Sequence, residues 1–408
     1  MYRYFFHQKE NINYIFDLYK RKGVNVMKAR DRITLQTILI AIIIIVAVVY
    51  IFFIKPNYYY FNGGKIFFDP VYTEKFVDKK TLEIYAYNQS LFFSSQNGLK
   101  KLTINRESIW DKVFYLENPK LFTEDKYMAV VDLGGKEAYT FDDKGYLMSV
   151  KVESPIVLAD ISAEGAFALV LEEEGKHLIQ LYKRDGELYA ERATNFAADG
   201  YPVAIDLSST GEKMVTSYLS VKDGVIKTTI AFFSFGTKGE LDPDNNLGGF
   251  IIDDAIAPEI KFLDDDHLVV VSDKTIYFYY IKDTPKLETE IKIKNEIDQI
   301  AYFKENVIIY FGKQMEVSKK DLNNKIVVYS HEGELLDEYD APDNVTHLIG
   351  NDNNYYVITP KTIEYHTIRK KIWEANIGNE AKNILKITKD KFIIVYEQGY
   401  EITKIKDI

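Results

Sequence analysis

Hydrophobic residues in this chain follow two different patterns, one before residue 55 and one after residue 65. From Ile38 to Ile54 no residue is charged, and extension back to Ile33 gives a run of about 22 residues. At about 1.5 Å per residue, a helix of this length crosses a hydrocarbon core of roughly 30 Å. The pattern therefore predicts a transmembrane α-helix over residues 33–54.

Beyond residue 65, short apolar or alternating runs predict β-strands and almost no amphipathic helix. Clear examples are YMAVVDL (127–133), HLVVVSD (267–273) and NVIIYF (306–311). Such runs recur about every 43 residues, and hairpin patterns such as AYTFDDKGYLMSV (138–150) follow them. Four strands in each repeat of about 40–45 residues are typical of a β-propeller blade.

The predicted fold class is all-β: a β-propeller of about eight, alternatively seven, four-stranded blades, preceded by one N-terminal transmembrane α-helix. The last repeat contains only three strands, so a strand within GKIFFDP (64–70) is expected to complete it and leave no free sheet edge. A pair of β-sandwiches or an irregular solenoid is the alternative. The predicted repeats begin near residues 81, 119, 155, 201, 257, 297, 344 and 382.

Charges beside the apolar run predict its orientation. Residues 1–32 carry eight Lys or Arg and only three Asp or Glu, and the side richer in cations stays in the cytoplasm. Residues 1–32 are therefore interpreted as a cytoplasmic basic segment, 55–65 as a linker and 66–408 as an extracytoplasmic domain. The run is longer than a signal-peptide core and lacks a small-residue cleavage site, which favours an uncleaved single-pass anchor in the cell membrane.

Residues 1–26 have two interpretations. The sequence from Met27, MKARDRITLQT, is typical of the start of an anchored bacterial protein, so residues 1–26 are interpreted as an over-extended start. The alternative is an amphipathic segment beside the membrane, with Tyr4, Phe5, Ile12 and Ile15 on one face.

Composition limits the partners of the large domain. The formal net charge is −10: residues 1–32 carry +5, and residues 33–408 carry −15. This acidity argues against binding nucleic acid or an anionic polymer by bulk electrostatics. The chain has no cysteine, which removes disulfides, thiol catalysis and thiolate metal sites.

The order of these parts resembles an uncharacterised family of single-pass, propeller-like proteins from clostridial-type Gram-positive bacteria. The resemblance rests on the anchor from Lys28 to Ile54 and on three stretches of the domain: ESIWDKVFYLENPKL (107–121), YMAVVDLGGKEAYTFDDKGYL (127–147) and DISAEGAFALV (160–170). It covers nearly the whole chain from Met27, although NRESIW replaces the usual Gly before the Trp. The resemblance implies a WD40-like propeller but no activity and no functional residues.

Candidate chemistry is sparse. The six histidines form neither H-E-x-x-H nor H-x-x-x-H, and no nucleophile elbow, P-loop or dinucleotide fingerprint occurs. His331 belongs to an HEGE turn that is interpreted as an exposed hairpin tip. One calcium site is a candidate in LDPDNNLGGFIID (241–253), because oxygen ligands alternate there and a twelfth position is acidic: Asp242, Asp244, Asn246 and Asp253. Leu247 at the sixth position favours a solvated loop instead, and no other cofactor is predicted.

Two further groups of residues are interpreted mainly as structural. Asp142-Asp143 and Asp264-Asp265-Asp266 are predicted turn residues that tolerate left-handed backbone geometry. Tyr277, Tyr279 and Tyr280, like Tyr355 and Tyr356, could line a carbohydrate or peptide surface, but a mixture of core and rim positions is favoured.

Two functions remain open from the sequence. The first is a membrane-tethered extracytoplasmic scaffold that binds an envelope protein or a wall component on one rim of the propeller. The alternative is an extracytoplasmic hydrolase or lyase acting on glycan or peptide, with acidic residues converging on the central channel. Buried carboxylates with shifted pKa values in that channel would favour the enzyme.

Overall fold

Residues 64–76, 83–196, 199–235, 245–313, 323–351 and 353–406 are described by the computed structural model. Within these ranges the chain is built from β-strands, 32 in all. None of the described residues forms a helix long and apolar enough to span a membrane. The predicted cytoplasmic segment 1–32 and helix 33–54 lie outside the described residues, and the last two residues of the predicted linker 55–65 already belong to a strand.

The strands of the first half follow one another with short turns. Strand β1 covers Gly64–Lys75. Strands β2 to β5 cover Glu83–Tyr87, Ser90–Ser95, Gly98–Thr103 and Ser108–Val113. Strands β6 to β9 cover Pro119–Glu124, Tyr127–Asp132, Glu137–Asp142 and Gly145–Lys151. Strands β10 to β13 cover Ile156–Ile161, Phe167–Glu173, Lys176–Tyr182 and Leu188–Asn195. Strands β14 to β17 cover Tyr201–Leu207, Lys213–Lys222, Val225–Ser234 and Asn246–Asp253.

The second half repeats the same organisation. Strands β18 to β21 cover Glu259–Phe262, His267–Val271, Thr275–Ile281 and Pro285–Lys292. Strands β22 to β25 cover Ile297–Phe303, Asn306–Phe311, Lys325–Tyr329 and Leu335–Asp340. Strands β26 to β29 cover His347–Asn351, Asn354–Ile358, Thr362–Thr367 and Lys370–Asn376. Strands β30 to β32 cover Ala381–Lys386, Lys391–Tyr396 and Gly399–Lys406.

Pairing divides these strands into groups of four. Six sheets each contain four consecutive strands, from β2–β5 to β22–β25, and neighbouring strands in them run antiparallel. The seventh sheet has the order β26-β27-β28-β29-β1-β32-β31-β30. The predicted four-strand repeat is confirmed, and each group begins within about three residues of its predicted start.

Strand β1 completes the C-terminal group, as predicted from GKIFFDP. Residues from Phe67 to Lys75 pair antiparallel with β32, while Gly64 to Ile66 pair in parallel with β29. The Phe68 ring packs edge-on against Trp373 of β29 and Phe392 of β31. The first strand of the domain therefore joins its last two groups.

The core lies between the groups, because the middle strands are covered on both faces. Every residue from Tyr127 to Val131 of β7 is buried, and so is every residue of β23. Strands covered on both faces read as continuous apolar runs, which explains why these segments are the clearest in the sequence. The fourth strands, such as β5, are mostly exposed and alternate in burial.

Candidate functional site

The first strands of the groups lie side by side and close a circle. Strand β10 contacts β6 and β14, β14 contacts β18, β26 contacts β22 and β30, and β30 contacts β2. Side-chain hydrogen bonds join the remaining neighbours, from Glu83 of β2 to β6 and from Tyr302 of β22 to β18. Polar residues on these strands are thereby brought together from distant parts of the chain.

Four ionisable residues, called the charged cluster below, converge on one arc of this circle. Lys261 Nζ of β18 lies 2.9 Å from Asp206 Oδ1 of β14 and 3.5 Å from Glu124 Oε2 of β6. Asp160 of β10 is close enough for the charges of Asp206 and Lys261 to act on its pKa. The side chain of Asp206 is only 6% exposed, so its charge depends on Lys261.

The carboxylates of this charged cluster also hold adjacent groups together. Asp160 Oδ2 accepts the backbone N–H of Leu207 at 2.8 Å, and Asp206 Oδ2 accepts that of Phe262 at 2.6 Å. Glu83 accepts the N–H of Leu121 at 2.7 Å in the same way. Each bond runs from one group to the next, so these carboxylates clasp neighbouring groups together.

A short sequence signal accompanies the clasp. The two clasping aspartates stand in the segments ADIS (159–162) and IDLS (205–208). In each, the serine hydroxyl accepts a backbone N–H within its own turn, from Ala166 to Ser162 and from Lys213 to Ser208. The repeated Asp-x-Ser was therefore a visible clue, although only the fold shows which neighbour each aspartate reaches.

A second carboxylate of β18 has a different environment. Tyr302 OH donates to Glu259 Oε1 at 2.8 Å. Burial raises the pKa of Glu259, and the hydrogen bond from Tyr302 and the charge of Lys261 oppose that shift. Glu259, Asp206 and Lys261 line a cavity of about 270 Å³ whose other walls are mainly apolar.

Burial is the main cause of the raised pKa values of the two aspartates in the charged cluster. It raises the pKa of Asp160 to about 8, and the charge of Asp206 adds to this effect. It also raises the pKa of Asp206 to about 6, although Lys261 and the Phe262 N–H oppose the shift. Burial acts to lower the pKa of Lys261, but the charges of Asp206, Asp160 and Glu124 outweigh it and raise that pKa. At neutral pH Asp160 is mostly protonated, while Lys261 is charged.

Asp160 predicts a pH dependence of stability. Its pKa is higher in the folded chain than the ordinary value of 3.8, so its contribution is complete below about pH 4 and is lost as the pH rises through about 8. Asp160→Asn removes this titration and keeps an acceptor for Leu207. Between pH 5 and 8 we expect the wild type to lose more unfolding free energy than the variant, because only the wild type releases the proton of Asp160. Solvent screens this half-buried side chain, which limits the expected difference to about 2 kcal/mol.

Urea unfolding at four pH values between 5 and 8 measures this difference. Asp254→Asn is the control, because Asp254 is 81% exposed and pairs with the surface residue Lys274. The unfolding free energy of the Asp254→Asn variant should change with pH as that of the wild type does. If that of Asp160→Asn also changes in this way, the proposed titration of Asp160 is wrong.

Of the four predicted calcium ligands, the structure describes Asn246 and Asp253, which lie apart. Asn246 opens strand β17 and Asp253 ends it, so about 23 Å of extended chain separates them. Asn246 Oδ1 accepts the N–H of Gly248, and Asp253 Oδ1 pairs with Lys227 Nζ at 3.0 Å. Asp242 and Asp244 lie outside the described residues.

The other residues singled out in the sequence mostly have structural positions. Asp264-Asp265-Asp266 form the turn before β19, and Asp142 accepts backbone N–H groups in its own turn. These five aspartates are therefore turn residues, as predicted, and none of them has a positive φ, whereas Asp125 does. Three of the tyrosines, Tyr279, Tyr355 and Tyr356, are buried in the core.

The histidines include one pair that sequence spacing did not reveal. His267 and His331 belong to different groups, yet their ring centroids lie 4.3 Å apart. His366 is buried against Glu364, with Nε2 and Oε2 2.9 Å apart. His177 is buried between the rings of Phe196 and Tyr201.

The circle of four-stranded antiparallel groups defines a β-propeller. BamB from Moraxella catarrhalis has a similar fold, with a TM-score of 0.50 and 12% identity over 83% of this chain and 99% of BamB. Sqt1 from Saccharomyces cerevisiae has a TM-score of 0.54 and 11% identity over 85% of this chain and 100% of Sqt1. Sqt1 from Chaetomium thermophilum has a TM-score of 0.54 and 8% identity, covering 83% and 98%. At these identities the similarity establishes the fold alone.

Residues 70–405 match DUF5711, a family of unknown function, and the chain belongs to this family. No curated protein matches the sequence significantly. The match covers the described propeller almost from end to end, so family membership and the fold concern the same part of the chain.

Proposed function

We propose that this chain is an eight-bladed propeller, tethered to the outer face of the cell membrane by residues 33–54, that binds another envelope protein. The eight first strands in the closed circle support the blade number. The uncharged run 33–54 and the basic residues 1–32 support the tether and its orientation.

The hydrogen bonds of the inner carboxylates support a scaffold rather than an enzyme. Asp160, Asp206 and Glu83 are engaged by backbone N–H groups of the next blade, so they stabilise the ring. An inner ring held in this way is a rigid frame that can present its outer surfaces to a partner.

One outer feature fits a protein partner. Strands β15 and β16 have ten residues each and form the longest hairpin among the described blades. Val221 and Ile226 pair across it near its tip and are 68% and 37% exposed. Apolar side chains exposed together at the tip of a long hairpin can form part of an interaction surface.

Cross-linking in intact cells tests the scaffold. A reproducible envelope protein should be captured by the wild type and lost with Val221→Asp/Ile226→Asp. Val113→Asp on strand β5 is the matched control, because Val113 is 77% exposed and distant in sequence from the hairpin. If the envelope protein is still captured after the hairpin substitutions, the hairpin is not its binding surface. Degradation of wall fragments without any partner would contradict the scaffold function.

Protease treatment of intact cells tests the orientation separately. Added protease should degrade residues 66–408 without cell lysis if this domain is extracytoplasmic. Full protection before lysis, followed by degradation after lysis, would contradict the proposed orientation.

The enzyme alternative has one specific observation in its favour. Glu259 and Asp206 are carboxyls of raised pKa beside a cavity, and Glu259 is bound by a tyrosine hydroxyl rather than by a clasping N–H. A protonated carboxyl there could act as a general acid on a glycan or peptide. Hydrolysis of wall fragments that Glu259→Gln abolishes would favour this function, and no hydrolysis by the wild type would exclude it for those substrates.

A further inference from the structure

A cluster of metal-binding side chains lies where two consecutive blades meet. Asp264, His267 and His331 each offer one ligand atom, and these atoms lie within 4.8 Å of one another. Two of the residues follow strand β18, whereas His331 comes from the turn after β24, more than 60 residues later. The cluster is therefore formed by docking of the blades and not by a local sequence motif.

The first half of the cluster is fixed by its own turn. Asp264 Oδ1 accepts the N–H groups of Asp266 and His267, both at 2.7 Å, and its Oδ2 lies 2.7 Å from His267 Nδ1. These hydrogen bonds orient the carboxylate toward the imidazole.

The preceding blade holds this turn in place. Asp265 Oδ1 accepts hydrogen bonds from the N–H and the hydroxyl of Thr210, at 2.9 and 3.1 Å. Lys213 pairs with Asp266 and donates to the carbonyl of Asp265 at 2.9 Å. The three consecutive aspartates therefore have separate contacts, and only Asp264 faces the histidines.

The second half is positioned by a glycine. Gly333 has φ +83°, and a Cβ there would lie 2.7 Å from Phe278 and 2.8 Å from Thr289 of the preceding blade. Thr289 also donates its hydroxyl to the Glu332 carbonyl at 2.7 Å. The turn that carries His331 can dock closely on the other blade because residue 333 has no side chain.

We propose that Asp264, His267 and His331 bind one divalent transition-metal ion of the Zn²⁺ class between these two blades. Imidazole nitrogen and carboxylate oxygen bind Zn²⁺ at about 2.0–2.2 Å, which places tetrahedral ligand atoms about 3.3 Å apart. Side-chain shifts of about 1 Å bring atoms within 4.8 Å to that spacing. The side chains are 15–30% exposed, so an ion can enter and water can complete its coordination.

Titration of the untagged full-length protein, in detergent and stripped with EDTA, tests the site. Calorimetry with Zn²⁺ should give one ion per chain, and Co²⁺ should give a visible absorption band that Zn²⁺ removes. His267→Ala and His331→Ala should each weaken Zn²⁺ binding by about 100-fold or more, since loss of a residue that only orients a ligand already costs 10- to 100-fold. His347→Gln, on strand β26, should leave binding unchanged.

His331→Ala should not unfold the protein, because the ion pair of His331 with Glu305 is long, at 3.6 Å. The circular dichroism of this variant should therefore be unchanged. Gly333→Ala retains all three ligands but should weaken binding, whereas Gly224→Ala should not. Gly224 has a similar φ of +77° with nothing near its missing Cβ. No stoichiometric binding by the wild type, or binding that survives both histidine substitutions, overturns the proposal.

Discussion

A chain that lacks residues 1–76 should fail to fold, whereas a chain that lacks only residues 1–62 should fold. Both lack the apolar run, so the difference isolates strand β1. Loss of β1 exposes the edge of β32 and uncovers Trp373 and Phe392, which pack on Phe68. Truncating one large core side chain already costs about 3–5 kcal/mol, and a domain is stabilised by only about 5–15 kcal/mol.

Circular dichroism and urea unfolding of the two truncated chains measure the effect. A synthetic peptide of residues 64–76 should restore the fold of the shorter chain, because β1 binds mainly by strand pairing. Equal urea midpoints for the two chains would show that β1 is not needed to close the ring.

Lys261→Met should lower the free energy of unfolding by about 3 kcal/mol at pH 7, because it leaves Asp206 buried without its counter-charge. The loss should shrink as the pH falls through about 6, where Asp206 takes up a proton. Lys274→Met should cost less than about 1 kcal/mol, since its partner Asp254 is exposed.

A double-mutant cycle separates the charge effect from lost packing. Lys261→Met/Asp206→Asn should recover much of the stability, because it removes the uncompensated carboxylate and keeps an acceptor for the Phe262 N–H. Urea unfolding at pH 5 and 7 measures all four chains. A loss that is additive and independent of pH would assign the role of Lys261 to packing alone.

The four-strand repeats are predictable from the sequence because each strand and turn has its own local pattern of apolar and polar residues. The middle strands, such as β7 and β23, are continuous apolar runs, and short polar turns separate them. The closing strand was predictable for a different reason: the last repeat was one strand short, and GKIFFDP was unassigned at the start of the domain. The calcium site stays a prediction, because two of its four ligands lie outside the described residues and the other two, Asn246 and Asp253, stand at opposite ends of strand β17.

The charged and histidine clusters were not predictable in the same way. Asp206 and Lys261 are 55 residues apart, and their contact depends on the register of two strands that belong to different sheets. A shift of one residue in either strand would turn the side chain to the opposite face. His267 and His331 depend further on the close docking that Gly333 permits.

The order of apolar and polar residues is therefore sufficient for the strands, their grouping in fours and the apolar run before them, because these follow from periodicity and turn chemistry. Which groups face each other follows only from closure of the circle by β1 and β32. Closure is a cooperative property of the whole ring. It brings Lys261 to Asp206 and His331 to His267, and with them the chemistry that this propeller can offer.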